Sequence, residues 1–109
     1  MATGLDFIEF VCDQIAALGD VSFKKMFGEY MVYHNARPIF LVCDNTVFVK
    51  QLPDVAAVFA AHNITPDVGT PYQGAKPHYV LDIENIDLSV DMARTLARIL
   101  PAPKPKVRK

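Results

Sequence analysis

The chain has no tryptophan, only two cysteines and two serines, and five glycines that never fall into a phosphate-cradling pattern. Each scarcity removes a class of chemistry. Cys12 and Cys43 have no second pair to make a disulfide framework and lack the C-x-x-C spacing of zinc and dithiol sites, so they read as reduced, mostly buried thiols. A reducing compartment follows. Neither Ser22 nor Ser89 lies in a G-x-S-x-G turn, which leaves serine hydrolysis without its nucleophile motif. Gly4, Gly19, Gly28, Gly69 and Gly74 build neither a G-x-G-x-x-G nor a Walker loop, so no nucleotide cofactor is expected. The histidines His34, His62 and His78 share no i, i+4 spacing that would put two imidazoles on one metal ion. No apolar run approaches the roughly 20 residues of a membrane span, and the start "MATGLDFIEFVCDQ" carries Asp6 and Glu9 with no basic region before its apolar residues. The expectation is a cytoplasmic protein with no membrane attachment, no metal and no cofactor.

What is present is an ordinary globular composition. With 51% apolar and 21% charged residues among 109, the chain is long enough to bury one core, and residues 1–100 are expected to form one domain. The last nine residues, "PAPKPKVRK", are Pro-rich and basic and read as a flexible tail, 101–109. Charge divides accordingly. Setting aside Lys104, Lys106, Arg108 and Lys109 leaves seven basic against twelve acidic residues, so the body carries −5. An acidic body repels phosphate backbones, which argues against direct DNA binding by the body; the four tail residues remain a candidate for weak nucleic-acid contact, without the aromatic platforms that usually accompany it.

Periodicity gives the elements. Leu5, Ile8, Val11 or Cys12, Ile15 and Leu18 follow the three-four spacing of one helix face, predicting a helix over 3–18 with Thr3 as cap and Gly19 as terminator. From Val21 the period becomes two, predicting strands over 22–26, 30–33, 39–43 and 46–50. "HNAR" and "DN" serve as reversals, and such short turns imply an antiparallel meander. Residues 53–62 return to helical spacing with Pro53 at the start; 63–77 form a long loop; 78–83 is a fifth strand; and a third helix, capped by Asp87 or Ser89, runs to Leu100. The expectation is an α+β fold, an antiparallel sheet of about five strands with helices packed on it, in the order α-β-β-β-β-α-β-α.

Catalytic groupings are sparse. Cys43 with His34 or His78 is a conceivable thiolate pair, but Asp44 follows Cys43 directly and opposes thiolate formation. Asp82 and Glu84 read as solvated acids.

The stretch "KKMFGEYMVYHNARPIFLVCDNTVFVK" carries a resemblance. Lys25-Met26-Phe27-Gly28, a strand with Tyr30 and Tyr33, the apolar strand 39–43, an Asp-Asn turn and the ending Val47-Phe48-Val49-Lys50 resemble the N-terminal domain of the TfoX/Sxy competence-regulator family. Tyr72, Gly74, Lys76, Pro77 and Tyr79 are looser marks of the same family. The resemblance spans about residues 5 to 100. It implies a small α+β domain in a bacterial cytoplasmic protein, linked to regulation of DNA-uptake competence genes alongside a transcription activator, and no catalytic activity. Full-length regulators add a second, C-terminal helical domain, so the likeness is to a stand-alone version of the first. The expected function is therefore a non-enzymatic regulatory or protein-interaction domain with a protein partner, self-associating through a strand edge or the MFG corner, with Met26, Phe27, Gly28, Tyr30 and Lys50 as the candidate interaction surface. The alternative is a small-molecule site or an enzyme pocket near the 70–77 loop.

Overall fold

The computed structural model describes residues 4–26 and 29–101. Among these residues, helices α1 (Leu5–Gln14), α2 (Pro53–Ala61) and α3 (Ile86–Ile99) pack with strands β1 (Val21–Met26), β2 (Glu29–His34), β3 (Arg37–Cys43), β4 (Thr46–Val49), β5 (Val68–Gly69) and β6 (His78–Leu81). The strands form one sheet in the order β1-β2-β3-β4-β6-β5, antiparallel at every pairing. The fold class is the expected α+β. The strand beyond the expected five is β5, whose two residues are too few to show a period.

Two hairpin turns set the register. Asn35 and Ala36 have φ of 52° and 64°, and Asp44 and Asn45 have 52° and 56°, so each turn has both central residues in the left-handed region. That geometry matches the right-handed twist of the flanking strands. "HNAR" thus contributes only its middle two residues to the reversal, since His34 and Arg37 already pair across the ladder. Between Val32 and Tyr33 the ladder slips by one residue: Val32 faces Phe40 and Tyr33 faces Pro38, leaving Ile39 as the extra residue of a bulge. On its β3 side β4 pairs only with 41–43, so Pro38, lacking an N–H, lies beyond the end of that ladder.

With the register fixed, one row of side chains crosses the sheet on the helix side: Tyr30, Val42, Val47 and Leu81 are successive partners, and all are buried. Ile8, Val11 and Ile15 of the first helical segment, Val55 and Phe59 of α2, and Leu88, Met92 and Leu96 of α3 complete this core. The first helix is shorter than its spacing suggests. After Gln14 the chain tightens into a 3₁₀ turn, Ala16–Leu18, which Gly19 ends at φ 76°. Gly4, with no side chain to offer, occupies the N-cap, and Thr3 lies outside the described residues. Ile15 stays buried although the helix has changed type, so the apolar spacing survives the change.

The cap of α3 is Asn85, not Asp87 or Ser89. The Asn85 side chain accepts a hydrogen bond from the Leu88 amide at 3.2 Å. Asp87 falls in the first turn, and Ser89 is buried, its hydroxyl near the carbonyls of Asp82 (3.3 Å) and Ile83 (3.4 Å) as a donor. At the other end of α3, Arg37 Nε donates to the Leu100 carbonyl at 3.2 Å, and Nη1 donates to that of Asn35 at 3.0 Å, tying the β2–β3 turn to the helix end.

Two substitutions check this account. Asn85→Ala should lower stability by about 1 kcal/mol in denaturant titration, whereas Asp87→Ala should cost clearly less, because only the former leaves the Leu88 amide unpaired. Ala36→Gly should raise stability by roughly 1 kcal/mol, because an L-residue with a Cβ is held there in the left-handed region; an unchanged or lowered midpoint would contradict the turn geometry.

Candidate functional site

Helices cover one face of the sheet, and alternation along each strand sends every second residue to the other. A single row crosses that helix-free face: Lys24 pairs with Met31, Met31 with Leu41, Leu41 with Phe48, and Phe48 with Val80. Four of the five are apolar. Loop 70–77, which leaves β5 and returns to β6, lies over this row. Gly69 at its root is pressed against the sheet: a Cβ there would stand 3.3 Å from Phe48 Cε1 and 3.7 Å from Val80 Cγ2.

Beneath the loop the face is concave. A cavity of about 450 Å³ is walled by Met31, Leu41 and Phe48 of the sheet and by Tyr72, Ala75 and Lys76 of the loop, and it reaches Leu96 and Leu100 at the end of α3. A second, of about 390 Å³, shares Met31, Leu41 and Tyr72 and reaches Met26 and Glu29 at the β1 end. A third, of about 590 Å³, shares Lys50, Lys76 and His78 with the first and continues past the end of β4. Tyr72, common to the first two, is 61% exposed. The three depressions form one open groove across the strands.

The residues expected to form an interaction surface separate here. Met26 lies on the helix-free face at one end of the groove, and Lys50, exposed just beyond β4, lies at the other. Tyr30 belongs to neither; it is 8% exposed in the helix-side core, its ring packed edge-on against Phe23 at 5.5 Å. Adjacent strand residues point to opposite faces, so Tyr30 goes inward because Met31 goes outward. Phe27 and Gly28 lie outside the described residues, as do Lys104, Lys106, Arg108 and Lys109. The 70–77 loop does roof a cavity, and Tyr72, Gly74 and Lys76 line it. Tyr79 turns to the helix side, edge-on to Phe59 at 5.4 Å. Met31, Leu41 and Phe48 are the floor residues that sequence reasoning passed over. Their signal was present: "EYMVYH" and "IFLVC" are apolar at both parities, the mark of strands covered on both faces.

Reactive groups around the groove are quiet. Burial pushes the Cys43 thiol from the ordinary 9.0 up to about 11, and the Glu29 and Asp44 carboxylates add to the effect. Burial alone raises Cys12, likewise to about 11. His78 Nδ1 donates to the Lys76 carbonyl at 2.8 Å. Elsewhere His62 Nε2 meets Asp91 Oδ2 at 2.9 Å, joining the end of α2 to α3, and Arg94 reaches the other Asp91 oxygen at 3.3 Å; this is a structural clamp on the helix layer. Among the described residues no group of three or more His, Cys, Asp or Glu side chains is placed to hold a metal ion, and no helix is long and apolar enough to cross a membrane.

Comparison with known proteins agrees with this architecture. The model of the TfoX N-terminal domain matches residues 13–98. The chain belongs to the TfoX N-terminal domain family. The match takes in all six strands, α2 and nearly all of α3, and so nearly the whole groove. The chain is also 36% identical over 111 residues to "Uncharacterized 12.7 kDa protein in trpE 5'region" of Spirochaeta aurantia, an alignment covering 100% of this chain and 93% of that protein.

The thiols give a direct check on this TfoX N-terminal domain. A rise of two units cuts the thiolate fraction roughly 100-fold, so iodoacetamide at pH 8 should alkylate Cys12 and Cys43 far more slowly in the native protein than in denaturant. The native state holds its thiol protons more tightly than the unfolded one. Their contribution to stability is therefore fully present below about pH 9 and is lost as pH rises through about 11. Across that window the thermal midpoint of the unsubstituted protein should fall more steeply than that of a Cys12→Ala/Cys43→Ala variant.

Proposed function

We propose that this TfoX N-terminal domain is a non-catalytic regulatory or protein-interaction module, working in the cytoplasm, with the helix-free face of the sheet as its contact surface. The observation that carries the reading is the row Met31, Leu41, Phe48 and Val80, an apolar floor left open by the helices and only partly roofed by Tyr72 and its loop. Met31, Leu41 and Val80 are half-buried and Phe48 is buried; apolar surface left partly in water is costly unless something covers it, and methionine and aromatic side chains adapt well to partners. The groups around it favour binding over bond-breaking: the Cys43 thiol is held protonated, and the His78 Nδ1 hydrogen bond goes to a backbone carbonyl. Family membership supports the same class of role, with regulation of DNA-uptake competence as the process that TfoX resemblance suggests.

Capture on the intact protein from its native cytoplasm, followed by single substitutions, tests the reading. Tyr72→Ala should release the partner while leaving the thermal midpoint nearly unchanged, because the side chain is mostly exposed. Tyr30→Ala should instead cost roughly 3 kcal/mol of stability as a core truncation. Retention that is indifferent to Tyr72→Ala overturns the assignment of this face.

A second reading has its own observation. A cavity of about 450 Å³ falls within the range of small-ligand pockets. Under that reading a metabolite library should contain compounds that raise the midpoint of the unsubstituted protein and not of Phe48→Ala.

A further inference from the structure

The groove is chemically polarised along its length. Its floor is apolar from β2 to β6, but cations gather at one end: Lys50 and Lys76 both line the first and third depressions, as does His78. Among the described residues neither lysine has an ion-pair partner. This is notable in a chain whose net charge is −1 and whose body is more acidic still. At the opposite end the charged group lining the groove is Glu29, with Oε1 accepting a hydrogen bond from the Asp44 amide at 3.1 Å; Lys24, on the same face of β1, lines none of the three depressions. The available charge in the groove is therefore positive and lies past the end of β4.

Size separates the classes of occupant. From β1 through β2, β3 and β4 to β6 there are four inter-strand spacings of about 4.8 Å, a span of roughly 19 Å. An extended peptide covers that distance in about six residues at about 3.3 Å each. A compact small molecule would occupy one depression and leave the others empty, and with Tyr72 61% exposed it would not be enclosed as small ligands usually are.

We propose that the groove takes an extended segment of a protein partner, with one or two large apolar side chains seated on Met31, Leu41 and Phe48 and an adjoining Asp or Glu held by Lys50 and Lys76. This deepens the interaction-module reading and rests on it. The apolar part of the segment supplies affinity by covering the open row, and the carboxylate sets the direction in which the segment lies, because the lysines that line the groove, Lys50 and Lys76, both lie at one end of it.

Selection of random 12-residue peptides displayed on phage against the intact protein tests both levels. The expected outcome is enrichment of Phe, Leu or Met next to Asp or Glu. Fluorescence anisotropy of an enriched synthetic peptide should then show roughly tenfold weaker binding to a Lys50→Gln/Lys76→Gln variant of unchanged thermal midpoint, the difference shrinking in 1 M NaCl. Enriched peptides that are apolar without acidic preference, or an affinity unaltered by the lysine substitutions, overturn the charge assignment; the module reading survives if Tyr72→Ala still abolishes binding. Absence of any Tyr72-dependent peptide overturns both. Uptake of a small apolar anion, 8-anilinonaphthalene-1-sulfonate, that depends on Lys50 and Lys76 when no peptide is selected assigns the groove to small-molecule binding instead.

Discussion

A β-strand has two faces, and in the central strands of this sheet both are apolar. Three helices can cover only one of them. The two hairpin turns decide which: with Asn35, Ala36, Asp44 and Asn45 all at positive φ, the strands pair in a single register that sends Tyr30, Val42, Val47 and Leu81 under the helices and Met31, Leu41, Phe48 and Val80 away from them. A slip of one residue would exchange the two rows. The rest of the molecule follows from that choice, including the buried core, the loop folded over the outer row, and the groove between loop and sheet.

The same constraint places the reactive side chains. Cys43 shares its parity with Leu41 and pairs with Thr46 on the helix-free face, where burial and two neighbouring carboxylates hold its proton. His34 has the parity of Tyr30 and Val32 and is buried, its Nδ1 3.4 Å from the Asp20 carbonyl. His62 is spent on the clamp to Asp91. Cys43, His34 and His62 are thus each engaged in packing or with a neighbour. The groove itself, among the described residues, offers an apolar floor and two lysines with no ion-pair partner.

Much of the fold was legible from local pattern. The spacing of Val55, Val58 and Phe59 marked α2, and Asp44-Asn45 marked a two-residue hairpin, because these signals lie within a few residues of one another. Non-local signals were harder to read. β5 is two residues long and exists because it pairs with β6, so no period in its own sequence announces it. Asn85 caps α3 where Asp87 and Ser89 are equally plausible by residue type; the helix starts where chain direction after β6 requires. Tyr30 looked like a surface aromatic beside Met26 because the two are close in sequence, yet the pairing sends them to opposite faces.

The amino-acid sequence by itself determined the α+β class, the order of its major elements and the free thiols, since these depend on composition, short-range periodicity and turn chemistry, and the resemblance of residues 24–50 to a known domain pointed to the family. The tertiary structure alone decided that Met31, Leu41 and Phe48 form a floor, that loop 70–77 roofs it, and that Lys50 and Lys76, distant in sequence, stand at one end of the same groove. The reason is geometric: alternation says that neighbouring residues face opposite ways, but only register, crossover and loop placement say which way is in.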